Sequence, residues 1–156
     1  MSVSANPRPL LLGIGNPLRG DDSLGRIVAG QLAQAGDLEC EVQVVYQLTP
    51  ELAESMAAAS LVVMIDASRE GDPGDIRVRQ ISPTFPAPGA IGVHHVTPDE
   101  LAALTVVIYG HCPPVMVISI TGADFNLGEQ LSPSVTRAIF LVGARIRQIL
   151  RSGKGE

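Results

Sequence analysis

Three groups of side chains in this 156-residue sequence are of types that hold a divalent cation. Asp21 and Asp22 close the stretch GIGNPLRGDD (13–22), where an apolar run ends and a helical pattern begins. Asp66 ends a second apolar run, SLVVMID, and His94 and His95 end a Gly/Pro-rich stretch just before another helical pattern. Two carboxylates and an imidazole make a three-ligand site for a borderline or hard divalent ion, with water or substrate in the remaining positions. Each group also has a reading without chemistry. Asp21 or Asp22 can cap a helix and suit its dipole, Asp66 can start a turn, and a lone histidine is usually structural or exposed. His111 and Cys112 are adjacent in YGHCPP. Sequence neighbours seldom aim their side chains at each other and no orienting acid is nearby, so a Cys–His nucleophile is not expected.

The elements that must position these groups alternate between strand and helix. Leu10–Ile14 is a short continuous apolar run suited to a central parallel strand. A helix is predicted from Asp21 to about Ala35, with Leu24, Ile27, Val28 and Leu32 at helical spacing and Gly36 as its stop. Residues 40–48 alternate and are β-branched, hence a strand, and Thr49 is the expected cap of a helix running to about Ala59. A buried strand follows over 60–68, and IRVRQI (76–81) reads as a more exposed one. Residues 83–93 form a long Pro/Gly loop. Thr97, Pro98 and Glu100 then spell a capped helix start, Val115–Ile120 is a strand, and Pro133 opens a final amphipathic helix to about Leu150. This order predicts a single three-layer α/β/α domain over 9–150 around an open, twisted, mostly parallel sheet, with tails at 1–8 and 151–156. In such sheets the ligand crevice lies outside the carboxyl ends of the strands. Asp22, Asp66 and the histidine pair all fall on that side.

Composition narrows the classes. Apolar residues make up 46% and aromatics 3% of the chain, with no Trp, so the core is built from Val, Ile, Leu and Ala. The mean hydropathy of +0.26 suits a sheet covered on both faces. A net charge of −5 without a Lys/Arg cluster argues against nucleic acid as a partner. No apolar run reaches the ~20 residues of a membrane span. The two cysteines are far apart and outside any CxxC pair, and the N-terminus lacks the pattern of a secretory signal. The expectation is a soluble, cytoplasmic protein with reduced thiols. Nucleotide motifs fail on inspection. Leu18 stands where GxGxxG needs its third glycine, Asp21 and Asp22 would repel a pyrophosphate, and no GK[ST] follows. HExxH is absent too.

Taken together, four blocks resemble the nickel–iron hydrogenase maturation endopeptidases. LLGIGNPLRGDDSLG resembles that family's GxGNxxxxDDxxG signature, VVMIDAS its strand closed by Asp, VHHVTPDELAAL its histidine before a helix, and YGHCPPVMVISITGADFNLGEQLSPSV its closing strand and G-E-x-L-S segment. The likeness runs in order from about Leu10 to Val142. It implies an α/β/α domain that removes the C-terminal extension of a hydrogenase large-subunit precursor once nickel is inserted. By motif it places the carboxylate–carboxylate–histidine set on Asp22, Asp66 and His94, with His95 as fallback because Pro98 suits the spacing from His94. Nickel, presented by the precursor, is the implied metal, and Asp21 is left as a cap or as a helper that orients water. The family's first acid can be Glu, so Asp22 brings the metal nearer the backbone, and Ser23 stands where Gly is often found. Two rivals remain: a flavodoxin-like nucleotide-binding module, and a catalytically silent escort that grips the precursor through the Pro83–Val93 loop.

Overall fold

The structure is a computed structural model, and it describes residues 6–85 and 96–152. Five strands form one sheet: β1 (Leu10–Ile14), β2 (Glu41–Val45), β3 (Val62–Ser68), β4 (Ile76–Gln80) and β5 (Val115–Thr121), in the order β2-β1-β3-β5-β4. All neighbours are parallel except β4, which runs antiparallel to β5 at the edge. Four α-helices cover the sheet: α1 (Leu24–Ala35), α2 (Leu52–Ala57), α3 (Pro98–Tyr109) and α4 (Pro133–Ser152).

Strand alternation divides the core in two. Leu11, Val63, Ile65, Ile118 and Ile120 join residues of α1 and α4 on one face. Leu10, Leu12, Val62, Met64 and Val115 join residues of α2 and α3 on the other. A central strand buried on both sides must therefore be apolar at every position, which is why β1 and β3 read as unbroken hydrophobic runs. This is the three-layer α/β/α arrangement expected from the sequence.

Close packing of α1 on the sheet depends on two glycines. A Cβ on Gly13 would collide with the Gly25 carbonyl, and one on Gly25 would collide with the carbonyls of Ile14 and Ile65. The glycines thus let helix and strand backbones touch, which fixes where α1 begins relative to β1. The start of α3 matches its sequence signature in full. Thr97 Oγ1 accepts from the Glu100 amide at 3.1 Å, and the Glu100 carboxylate accepts from the Thr97 amide at 3.2 Å.

Four boundaries differ from expectation. The strand predicted over 40–48 spans only Glu41–Val45, because its partner β1 ends at the Ile14–Val45 pair. Thr49 does not cap α2. Its carbonyl accepts from the Leu52 amide in a lead-in turn, and the helix starts at Leu52 without a side-chain cap. The strand predicted over 60–68 begins at Val62, where its pairing with β1 and β5 begins, and ends at Ser68 as expected. Finally, Gly20–Ser23 is a 3₁₀ turn and α1 proper begins at Leu24. The amides of Gly20 and Asp21 are bonded to the carbonyls of Gly128 and Asp124, which ties this segment to a distant loop rather than to a first helical turn.

Candidate active site

The site forms where β1 and β3 part. Pairing between them ends at Gly13 and Ile65, so Asp66 is the first residue of β3 without a β1 neighbour. This is also where the chain changes direction across the sheet: β1 leads through α1 to β2 on one side, and β3 lies on the other. Such switch points open a crevice at the carboxyl ends of the strands.

Asp22 arrives at the crevice from the 3₁₀ turn. The chain leaving β1 bends so closely past it that a Cβ on Gly15 would overlap the Asp22 carbonyl, and Gly15 takes φ +153°. Asn16 then fixes both the loop and the acid. Its amide donates to Asp22 Oδ2 at 2.9 Å, and its side-chain Oδ1 accepts from the Leu18 amide at 2.9 Å. Asp66 Oδ1 accepts from the Ala67 amide at 2.8 Å. Asp22 and Asp66 line one cavity of about 530 Å³, with Asn16, Tyr46, Thr97 and Pro98 among the other walls. Among the described residues none that lines it is Lys or Arg.

Electrostatics in the crevice favour a cation. Burial pushes the Asp66 carboxyl up to about 6, and the nearby negative charge of Asp22 adds to the rise against the lowering effect of the Ala67 amide. The folded state therefore binds more protons at Asp66 than the unfolded state between pH 3.8 and about 6, and ionised Asp66 costs stability above that window. Asp66→Asn is accordingly expected to stabilise the metal-free protein by about 1–3 kcal/mol at pH 7.5, with the gain gone below about pH 4. Urea unfolding of both proteins across that range measures it, and equal stability at pH 7.5 would contradict the assignment.

Asp21 turns away from the cavity. It is wholly buried at 0% exposure. Its Oδ2 accepts from the amides of Ala123 and Asp124 and from Ser132 Oγ at 2.7, 2.9 and 2.8 Å, and its Oδ1 accepts from the Ser132 amide at 2.8 Å. It caps no helix of its own segment. It pins the loop between β5 and α4 against the start of α1. Burial alone would raise its pKa, but the bonds from Ser132, Asp124 and Ala123 outweigh that and hold it below the usual carboxylate value. Ser132 belongs to the G-E-x-L-S segment noted in the sequence, though its role as partner of Asp21 was not apparent there.

His94 and His95 lie outside the described residues. Val96, next in sequence, lines the same cavity as Asp22 and Asp66. Among the described residues no three His, Cys, Asp or Glu side chains gather to hold a metal ion. The other reactive pair stands elsewhere. His111 Nε2 meets the Ala57 carbonyl at 2.8 Å, and burial pushes the Cys112 thiol up to about 11. Both precede β5, at the amino-terminal ends of the strands, and both cysteines are free thiols. Among the described residues no helix is long and apolar enough to cross a membrane.

No family model matches the chain, and no curated protein sequence does. Solved structures do. Hydrogenase maturating endopeptidase HybD from Escherichia coli superposes with a TM-score of 0.73 at 20% identity, over 93% of each chain. The [NiFe] hydrogenase maturation protease HycI from Thermococcus kodakarensis KOD1 superposes with a TM-score of 0.69 at 24% identity, over 95% of each chain. HybD from Thermococcus kodakarensis gives 0.70 at 20% identity, over 92% of this chain and 99% of its own. The fold is that of the hydrogenase maturation proteases. The likeness to this protease fold extends over nearly the whole chain.

Proposed function

We propose that this chain is a hydrogenase maturation endopeptidase, which cleaves the C-terminal extension from a nickel-loaded hydrogenase large-subunit precursor. The observation that carries this reading is the pairing of Asp22 and Asp66 in one cavity at the switch point of a maturation-protease fold. Two carboxylates in one cavity, with the charge of Asp22 adding to the proton affinity of Asp66, suit a divalent cation, and oxygen donors with one imidazole suit a borderline ion. In this reading Asp22, Asp66 and His94 hold the nickel brought by the precursor, with His95 the alternative third ligand. The bound metal supplies Lewis acidity to the adjoining carbonyl or water. Asp22, oriented by the Asn16 amide, is the fixed member of the set. Asp66, held by the Ala67 amide, meets the cation in its ionised form, which prevails above about pH 6. Asp21 serves by fixing the segment that carries Asp22 and does not orient water, since both of its oxygens are occupied within the fold.

A phosphate-bearing nucleotide suits this cavity poorly, because both of its charged residues are acids. The test is a processing assay with purified protein and large-subunit precursor, loaded with nickel or free of it. Cleavage of the loaded form alone is expected. Binding without cleavage would make the chain an escort, and cleavage of both forms equally would remove nickel from the mechanism.

A further inference from the structure

We infer that the open edge of β4, with the cavity beside it, takes an extended peptide bearing a carboxylate, and that this peptide is the extension of the cleaved precursor. The inference deepens the function proposed above and rests on it for the identity of the peptide. The geometry begins with the phase of the β4–β5 ladder. The Asp75 carbonyl accepts from the Thr121 amide at 2.9 Å, and the Ile81 amide donates to the Val115 carbonyl at 2.8 Å. In an antiparallel pair every second residue turns both backbone groups to its neighbour. Residues 75, 77, 79 and 81 therefore face β5, and Ile76, Val78 and Gln80 direct their amides and carbonyls outward. β4 ends the sheet, and no described strand pairs with that outer side. Arg77, Arg79 and Gln80 are exposed, as an uncovered edge requires. Donors and acceptors at alternate residues that no described residue fills are the chemistry that recognises an extended backbone.

Side chains select what kind of peptide. Ile76 and Val78 pack towards the core shared with α1 and α4, so Arg77 and Arg79 project to the opposite face. There they line a cavity of about 780 Å³ together with Ser119, Val117, Pro98 and Asp66. Pro98 and Asp66 also line the site cavity, so the two spaces meet at the candidate metal ligand. Arg79 is already engaged with the Asp99 carboxylate at 3.1 and 3.2 Å. The Arg77 guanidinium makes no ion pair or hydrogen bond among the described residues; it lies over Gly71 beside the Asp75 carboxylate, and Glu70 shares the cavity. A guanidinium with no ion pair among the described residues, beside backbone groups that no described residue fills and next to Asp66, suits an extended segment that carries a carboxylate and ends at the site. A substrate cleaved at Asp22 and Asp66 would pass its metal-bearing side into the first cavity and its extension along the second.

The probe is a fluorescently labelled synthetic peptide of the extension carried by the same precursor used in the processing assay, and anisotropy gives its Kd. Val78→Pro removes an outward amide without removing a β5 ladder bond, and Arg77→Glu reverses the cation. Each is expected to weaken binding about tenfold or more, the loss of one or two hydrogen bonds or of one charge pair. A third arm leaves the protein unaltered. N-methylating alternate peptide residues should abolish binding in one phase and spare it in the other, which only pairing to a strand edge produces. A wild-type protein that does not bind the peptide overturns the inference. So do variants that bind as wild type with both methylation phases tolerated, or a β4 edge that is instead consumed in a dimer of this chain. Cleavage of the loaded precursor by wild-type protein is read separately, so the groove can fail while the proposed function stands.

Discussion

Asp22→Ala and Asp66→Ala are each expected to slow processing of the nickel-loaded precursor by at least about a hundredfold. Loss of a residue that merely orients a metal ligand typically costs 10–100-fold in affinity or activity, and loss of the ligand should cost no less. The two variants should differ in how they fail. The Asp22 side chain has one described hydrogen bond, from the Asn16 amide, so its removal frees a single part-buried amide and costs about 1 kcal/mol of stability. Asp66 is held in a setting that disfavours its charge, so Asp66→Ala should lose processing while stability at neutral pH is kept or raised. Wild-type processing should also decline as pH falls through about 6, because Asp66 must be ionised to meet a cation. Cleavage rates on saturating precursor, taken beside urea unfolding of the same preparations, separate a damaged site from a damaged fold. Wild-type rates in both variants would sink the site.

Much of this was legible in the sequence because it rests on local rules. β1 and β3 are apolar throughout because helices bury both their faces, and that pattern appears as LLLGI and VVMI. The Thr97–Pro98–Glu100 start of α3 is a contact within one turn, so three neighbouring residues announce it. Asp66 was readable as an acid at the end of a buried strand, with a turn-starting role as the alternative, and the structure places it on the same cavity as Asp22. What escaped is long-range. The start of α1 was placed at Asp21 because a pair of acids reads as a helix cap, but the partners of Asp21 lie 102 to 111 residues away. No window of sequence joins those segments. The extent of β2 was misjudged for a related reason, since a strand ends where its neighbour does, and β1 stops at Ile14. The edge position of β4 and the phase of its outward amides are likewise properties of the assembled sheet.

Asp21→Asn is the second large effect expected, a loss of about 3–5 kcal/mol of folding stability at pH 7, the cost of breaking a buried, fully hydrogen-bonded charge. An amide is isosteric but keeps only one acceptor oxygen. If that oxygen takes the place of Oδ2, the new NH₂ faces the Ser132 amide, and in the reverse orientation it faces those of Ala123 and Asp124. Either way donors meet donors in a site of 0% exposure, and each unsatisfied buried group costs about 1–3 kcal/mol. Against a typical net stability of about 5–15 kcal/mol this leaves a marginal protein. The pH dependence gives an independent check. Because the folded pKa of Asp21 is depressed below 3.8, its contribution is complete above the unfolded value and is lost as pH falls through the folded one. The stability gap between wild type and Asp21→Asn should therefore be flat at neutral pH and close in acid, opposite in sign to the gap between wild type and Asp66→Asn and closing at lower pH. Two adjacent loops hang on this one carboxylate, since the Gly20 and Asp21 amides bond to the same 124–128 segment that Asp21 holds. The Asn variant should consequently show its fastest amide exchange at 122–132 and 16–22. A loss under about 1 kcal/mol, with exchange in those segments unchanged, would mean that Asp21 does not hold the loop and that the position of Asp22 has another cause.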